Sequence, residues 1–76
     1  MPRYYFHIRD GKDLIRDEEG TELADPEAAH AEAMASARDL ALDEIRSHNR
    51  VDGRSIEIVS EFGAMIDTVA VRESVD

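Results

Sequence analysis

The chain contains no cysteine and no tryptophan, and only two prolines occur among its 76 residues. Without cysteine it can form no disulfide bond, no thiolate metal site and no thiol nucleophile. Every apolar run is far shorter than the roughly 20 residues of a membrane-spanning helix, and residues 1–7 lack the apolar stretch of a signal peptide. We therefore expect a cytoplasmic protein whose stability comes from packing or from a partner subunit.

Basic residues are scarce beside acidic ones. Nine Lys and Arg stand against 18 Asp and Glu, which gives a formal net charge of -9 and a pI near 4.6. Such a charge repels the phosphates of nucleic acids and anionic membranes, and it favours basic partners. The balance of 42% hydrophobic and 36% charged residues is typical of a globular chain. The length predicts one small domain over residues 1–76.

The first third of the chain has the pattern of a β-hairpin. Residues 4–9 alternate between two faces, one of which carries mainly aromatic and branched side chains. Asp10-Gly11 then supplies a turn, because glycine adopts a positive φ without steric cost. The pattern predicts a hairpin over about residues 3–17 and a short extended piece at residues 21–23.

A long helix is predicted next. Asp25 is a good N-cap, and Pro26 suits the first helical position, where its missing N–H costs nothing. Neither glycine nor proline occurs between residues 28 and 48, so we expect a helix over about residues 26–48. The helical period predicts that one face of this helix is buried, as a stripe of eight residues. The stripe consists of Ala29, His30, Ala33, Met34, Ala37, Leu40, Ala41 and Ile45. Leu42 falls outside it.

The last third has the pattern of a second hairpin, with strands near residues 55–60 and 65–71. Alternation places Ile56 and Ile58 inward. The order β-β-α-β-β predicts an α+β fold, a two-layer sandwich with one helix packed on a small four-stranded sheet. Because the helix forms a crossover between the hairpins, we expect one strand of each hairpin to pair in parallel.

The acidic segment between residues 17 and 27 invites a metal-binding interpretation. Calcium requires several oxygen ligands at fixed positions of one loop. The spacing of an EF-hand fails here, because the first ligand position would be occupied by Ile15 or Phe6. We interpret the segment as a solvated turn followed by acids at the helix N-terminus, and we assign no metal ligand.

The remaining polar groups do not form a recognisable catalytic set. His7 lies on a strand, His48 lies at the end of the helix, and His30 is interpreted as a packed, hydrogen-bonded core residue. The serines sit in no nucleophile elbow, and no glycine-rich phosphate loop occurs. The arginines between positions 46 and 54 could contact phosphate, but they better complement the helix C-terminus. We assign no catalytic or cofactor-binding residue and expect no cofactor.

One helix can cover only one face of the sheet. The other face carries Tyr5, His7 and Val59 and is a possible interaction surface. Leu42 on the helix is a further residue that could contact a partner.

We expect the protein to form a homodimer and to act as a small, acidic, non-enzymatic protein-interaction module, with a basic protein as a possible partner. The alternative is an enzyme or small-molecule binder whose site is shared between subunits. A flat acidic face would favour the first hypothesis, and a shared pocket lined by His7 or His30 the second.

The N-terminal motif resembles that of a known family. Residues 1–7 read Met-Pro-Arg-Tyr-Tyr-Phe-His, an Asp-Gly turn follows at 10–11, and residues 17–23 read Asp-Glu-Glu-Gly-Thr-Glu-Leu. This combination resembles a family of short bacterial proteins defined only as a domain of unknown function. The resemblance covers nearly the whole chain. It implies the same hairpin, helix and hairpin but no assigned activity.

A weaker likeness is to antitoxin domains of the HicB type. The shared pattern is a hairpin with a turn at Asp10-Gly11, then a loop that contains Gly20, then a helix that begins with acidic residues and alanines after Asp25. This likeness implies an antitoxin-like interaction with a basic toxin. The chain ends after the second hairpin, without the DNA-binding extension of many such antitoxins, so DNA binding is not expected.

Overall fold

The computed structural model describes residues 1–48 and 53–72, with side chains described for residues 1–42 and 53–72. Within these residues the predicted α+β class is confirmed, with one helix and an open antiparallel sheet. The predictions for Ile45, the arginines at 46 and 50 and the end of the chain after residue 72 lie outside the described side chains. The elements are β1 (Arg3–Asp10), β2 (Asp13–Ile15), β3 (Thr21–Glu22), α1 (Pro26–His48), β4 (Ser55–Ser60) and β5 (Met65–Ala70).

The helix has the predicted bounds, and its N-terminus has the predicted cap. The Asp25 carboxylate accepts a hydrogen bond from the backbone N–H of Ala28, with an N···O distance of 2.8 Å. The sheet contains one element more than the four strands expected, because the extended piece at Thr21–Glu22 pairs with β1 as a two-residue strand.

The strand order is β2-β1-β4-β5. β2 and β3 lie along the same edge of β1, where β3 pairs with its first residues and β2 with its last. The expected parallel pairing is wrong, because β1 and β4 pair antiparallel, with Phe6 opposite Ile58. β3 and β4 each run antiparallel to β1 and therefore run parallel to each other. The helix thus connects two parallel strands, but β1 lies between them, as in a split βαβ arrangement.

The core lies between the helix and the two strands that follow it. The helix packs mainly against β4 and β5. Ile56 and Ile58 point inward as the alternation predicted, and Val69 on β5 is fully buried as well. Alanines at intervals of four residues form the buried stripe, and their small side chains let the helix approach the sheet closely. The fully buried alanines are Ala29, Ala33, Ala37 and Ala41.

Candidate interaction surfaces on the two sides of the sheet

Three of the residues predicted to form an interaction surface lie together on the face that the helix does not cover. Tyr5 and His7 alternate on β1, and Val59 on β4 is the cross-strand neighbour of Tyr5. They line a groove of about 440 Å³, which we call the open-face groove. Its other walls come from the loop after β2 and from the β4–β5 turn.

His7 is buried although it lies on the uncovered face of the sheet. Only 8% of its surface is exposed, and its ring stacks on Tyr5 with centroids 6.3 Å apart. The backbone N–H of Asp17 donates a hydrogen bond to Nδ1 of His7 at 3.0 Å. Because Nδ1 accepts this bond, the neutral ring carries its proton on Nε2.

Asp17 organises the edge of β1 between β2 and β3. Its Oδ2 accepts a hydrogen bond from the backbone N–H of Phe6 at 3.1 Å. Its Oδ1 accepts bonds from the backbone N–H groups of Glu19 at 3.3 Å and Gly20 at 3.1 Å. The interpretation of this segment as a solvated turn is therefore wrong for Asp17, which is half-buried. The spacing Asp-x-x-Gly was the signal for such a side-chain-capped turn.

The open face is polar at one end and apolar at the other. At the polar end, Nε of Arg9 donates to Glu57 at 3.0 Å, and the Glu57 side chain is only 13% exposed. At the apolar end, Met65 lies opposite Val59 and is 57% exposed. Phe62, in the adjoining turn, is 90% exposed.

We give the name open-face patch to Tyr5, Val59 and Met65 on the sheet together with Phe62 in the adjoining turn. Sequence reasoning missed Phe62 because the pattern places it only in a turn. An aromatic residue in a turn of otherwise small and polar residues was the available signal.

Leu42 does not belong to the open face. It lies 51% exposed on the helix, on the other side of the sheet. There it borders a cleft of about 580 Å³, which we call the helix-side cleft. The cleft exists because the helix sits over β4 and β5 and leaves the inner side of β1 partly uncovered. Its lining residues are Phe6, Ile8, Ser36, Asp39, Leu40, Leu42 and Ile56.

His30 links the helix to the outermost strand. The interpretation of His30 as a core residue is wrong, because its side chain is 50% exposed. It is hydrogen-bonded as expected, with Nδ1 lying 2.8 Å from Oδ2 of Asp67 on β5. This bond lowers the pKa of Asp67, with help from the backbone N–H of Thr68. His30 and His7 thus lie at different sites and do not share a pocket.

The part of the chain that the structure describes contains no group of three His, Asp or Glu side chains placed to hold a metal ion. Within the same residues, no helix has both the length and the apolar character needed to cross a lipid bilayer.

The fold and these surfaces define a small α+β protein whose open sheet is covered by a helix on one face. A protein-family model described as a domain of unknown function (DUF6894) matches residues 3–72, and the chain belongs to this family. The match confirms the resemblance to a domain of unknown function. The searches of curated proteins and of solved structures gave no match.

Proposed function

We propose that the protein is a small, acidic, non-enzymatic protein-interaction module that works through the open-face patch. The observation that carries this proposal is the combination of an exposed aromatic side chain and an adjoining groove. Phe62 is 90% exposed, and the open-face groove is lined by Tyr5, His7 and Val59. A solvated antiparallel face is normally polar, whereas exposed apolar groups that cluster on one surface are typical of interaction sites.

The partner that we propose for this patch is a second copy of the chain. In a two-fold dimer the same surface is used by both copies, so each Phe62 would lie against the groove of the other. Burial of an aromatic side chain removes a large apolar area from water. A chain of 76 residues buries a modest core by itself, and a dimer would add stability.

The experiment is sedimentation equilibrium at about 100 μM protein, which detects association stronger than roughly -5.5 kcal/mol. We expect a dimer, and Phe62→Ser should weaken it by about tenfold or more. Ile15→Ser is the matched control, because Ile15 is also an exposed apolar side chain, at 58%, but lies outside the open-face groove. This control should leave the dimer unchanged.

Salt provides a further test of the dimer. Each copy carries a net charge of -9, so repulsion between the copies opposes association. Salt screens this repulsion, and the dimer should therefore strengthen as ionic strength rises. A monomer at both low and high ionic strength would contradict the proposal, as would equal effects of Phe62→Ser and Ile15→Ser.

The more specific form of the proposal is antitoxin-like binding of a basic partner protein. It is supported by the net charge of -9 and by the likeness of the hairpin and helix to HicB-type domains.

A second candidate function is a small-molecule or enzymatic site shared between two subunits. His7 favours it, because its ring lies in the groove that a second copy would close. Small molecules that bind the dimer, but neither the Phe62→Ser monomer nor His7→Gln, would support this alternative.

A further inference from the structure

We propose that the helix-side cleft binds a cationic amphipathic helix of a partner protein. This inference rests on the proposed role as an interaction module and deepens it by naming the chemistry of the partner. It uses the opposite side of the sheet from the open-face patch. Binding at the two surfaces can therefore be measured separately.

The floor of the helix-side cleft is apolar. Phe6 and Leu40 are partly buried against the core, and Ile56 is fully buried beneath them. Leu42 at the border is 51% exposed. Ile15 is 58% exposed and extends this apolar surface, because it lies opposite Ile8 in the β1–β2 ladder. Amphipathic helices bind such grooves by inserting apolar side chains spaced three or four residues apart.

One aspartate lines the cleft, and two more lie beside it at the end of the adjoining hairpin. Asp39 lines the cleft from the helix. At the end of the β1–β2 hairpin, Asp10 lies directly opposite Asp13, and alternation puts both on the same side of the sheet as Ile8. Like charges that face each other across a ladder repel. Within the described residues, these three aspartates form no ion pair. Lysine or arginine side chains of a ligand would relieve this repulsion.

These two features together select the ligand. An uncharged apolar ligand would fill the floor but leave the aspartates unpaired. An acidic helix would be repelled by the aspartates and by the net charge of -9. A helix with leucine-like side chains on one face and lysines or arginines beside them would pack against the apolar floor and form ion pairs with the aspartates.

The test titrates fluorescently labelled peptides with the full chain. The probe is a synthetic peptide of about 14 residues, in which leucine recurs every three or four positions and lysine fills most of the rest. A second peptide has glutamate in place of lysine, and a third has the composition of the first with no amphipathic face. We expect the first peptide alone to bind, and its affinity to fall as salt is added.

Two substitutions locate the site. Leu42→Ser should weaken binding about tenfold, whereas Phe62→Ser should leave it unchanged, since Phe62 lies in the turn beside the open-face groove. The pair Asp10→Asn and Asp13→Asn should weaken binding about threefold at low salt. Glu18→Gln with Glu19→Gln is the charge-matched control, because Glu18 lines the groove on the open face, whereas Asp10 and Asp13 lie on the same side of the sheet as the cleft residue Ile8.

Equal losses for the two charge-neutralising pairs would overturn the proposal, because they would mean non-specific attraction to an acidic protein. Unchanged binding by Leu42→Ser would overturn it as well. Because Phe62→Ser should weaken the dimer but leave the cleft intact, peptide binding by this variant tests the cleft independently of the dimer. If the wild-type chain is a monomer and still binds the cationic peptide through Leu42, the dimer is wrong and the cleft stands. If the dimer forms and no peptide binds, the cleft is wrong.

Discussion

Gly20 occupies a position that no residue with a side chain fits without strain. Its φ is +71°, in the left-handed region that disfavours other L-residues. A Cβ at this position would lie 2.9 Å from side-chain carbons of both Arg3 and Tyr5 and 3.0 Å from the carbonyl oxygen of Tyr4. The N–H of Gly20 also donates to Asp17 at 3.1 Å. The turn that covers His7 therefore depends on glycine for both conformation and space.

Gly20→Ala should lower the free energy of unfolding by about 2 kcal/mol more than Gly11→Ala does. Gly11 is the matched control, because its φ of +61° imposes a similar backbone cost while a Cβ at this position would have no neighbour within 4 Å. Urea denaturation of the two variants measures the difference, which isolates the contribution of close packing at residue 20. Equal losses would show that the loop moves away at no cost.

The helix is an element built around a stripe of small side chains. Four alanines spaced by four residues have no exposed surface and face the strands of the second hairpin. Their size sets the distance between the two layers, because a larger side chain would push the helix away from the sheet. The same placement leaves the inner side of β1 partly open, and this opening is the helix-side cleft.

Ala37→Leu should destabilise the protein by roughly 1–3 kcal/mol through overpacking. Ala35→Leu should be nearly neutral, because Ala35 lies exposed on the outer face of the same helix. The two variants add the same side chain at helical positions two residues apart, so helix propensity changes equally. Thermal unfolding provides the comparison, and equal shifts for the two variants would contradict the observed phase of the helix.

In the molecule as a whole, few polar contacts connect the two layers within the described residues. His30 on the helix and Asp67 on β5 form one of them, with a distance of 2.8 Å between Nδ1 and Oδ2. The hydrogen bond from His30 is the main reason that the pKa of Asp67 lies below its ordinary value of 3.8. Both side chains are about half exposed, so solvent screens their interaction and limits its contribution to stability.

This lowered pKa predicts a dependence of stability on pH. A carboxyl group whose pKa is lower in the folded protein stabilises it above the ordinary value of 3.8. That contribution is lost as pH falls through the lower, folded pKa. The stability difference between wild type and Asp67→Asn should therefore shrink between about pH 6 and about pH 2.5.

Urea denaturation at both pH values measures this effect. His30→Ala should remove most of the same pH-dependent part, because it removes the hydrogen-bond donor that is the main cause of the pKa shift. A stability difference between wild type and Asp67→Asn that stays constant over this pH range would contradict the prediction.

Much of the fold was predictable from local patterns. The Asp25-Pro26 start of the helix, the stripe of alanines and the inward direction of Ile56 and Ile58 are all confirmed by the structure. These features depend on residues within a few positions of one another. Capping, turn formation and periodicity are set by such neighbours, so they can be recognised without knowing the rest of the structure.

Other features were decided only by the tertiary structure. β1 pairs antiparallel with β4 because it lies between the two strands that the helix connects, and no local pattern records which strands become neighbours. The same pairing places Tyr5 beside Val59, while the position of the helix leaves Leu42 on the other side of the sheet. Asp17 likewise meets Phe6 and His7 only after the chain has folded back on itself. Contacts between distant segments depend on how layers pack and chains cross, which short-range preferences do not determine.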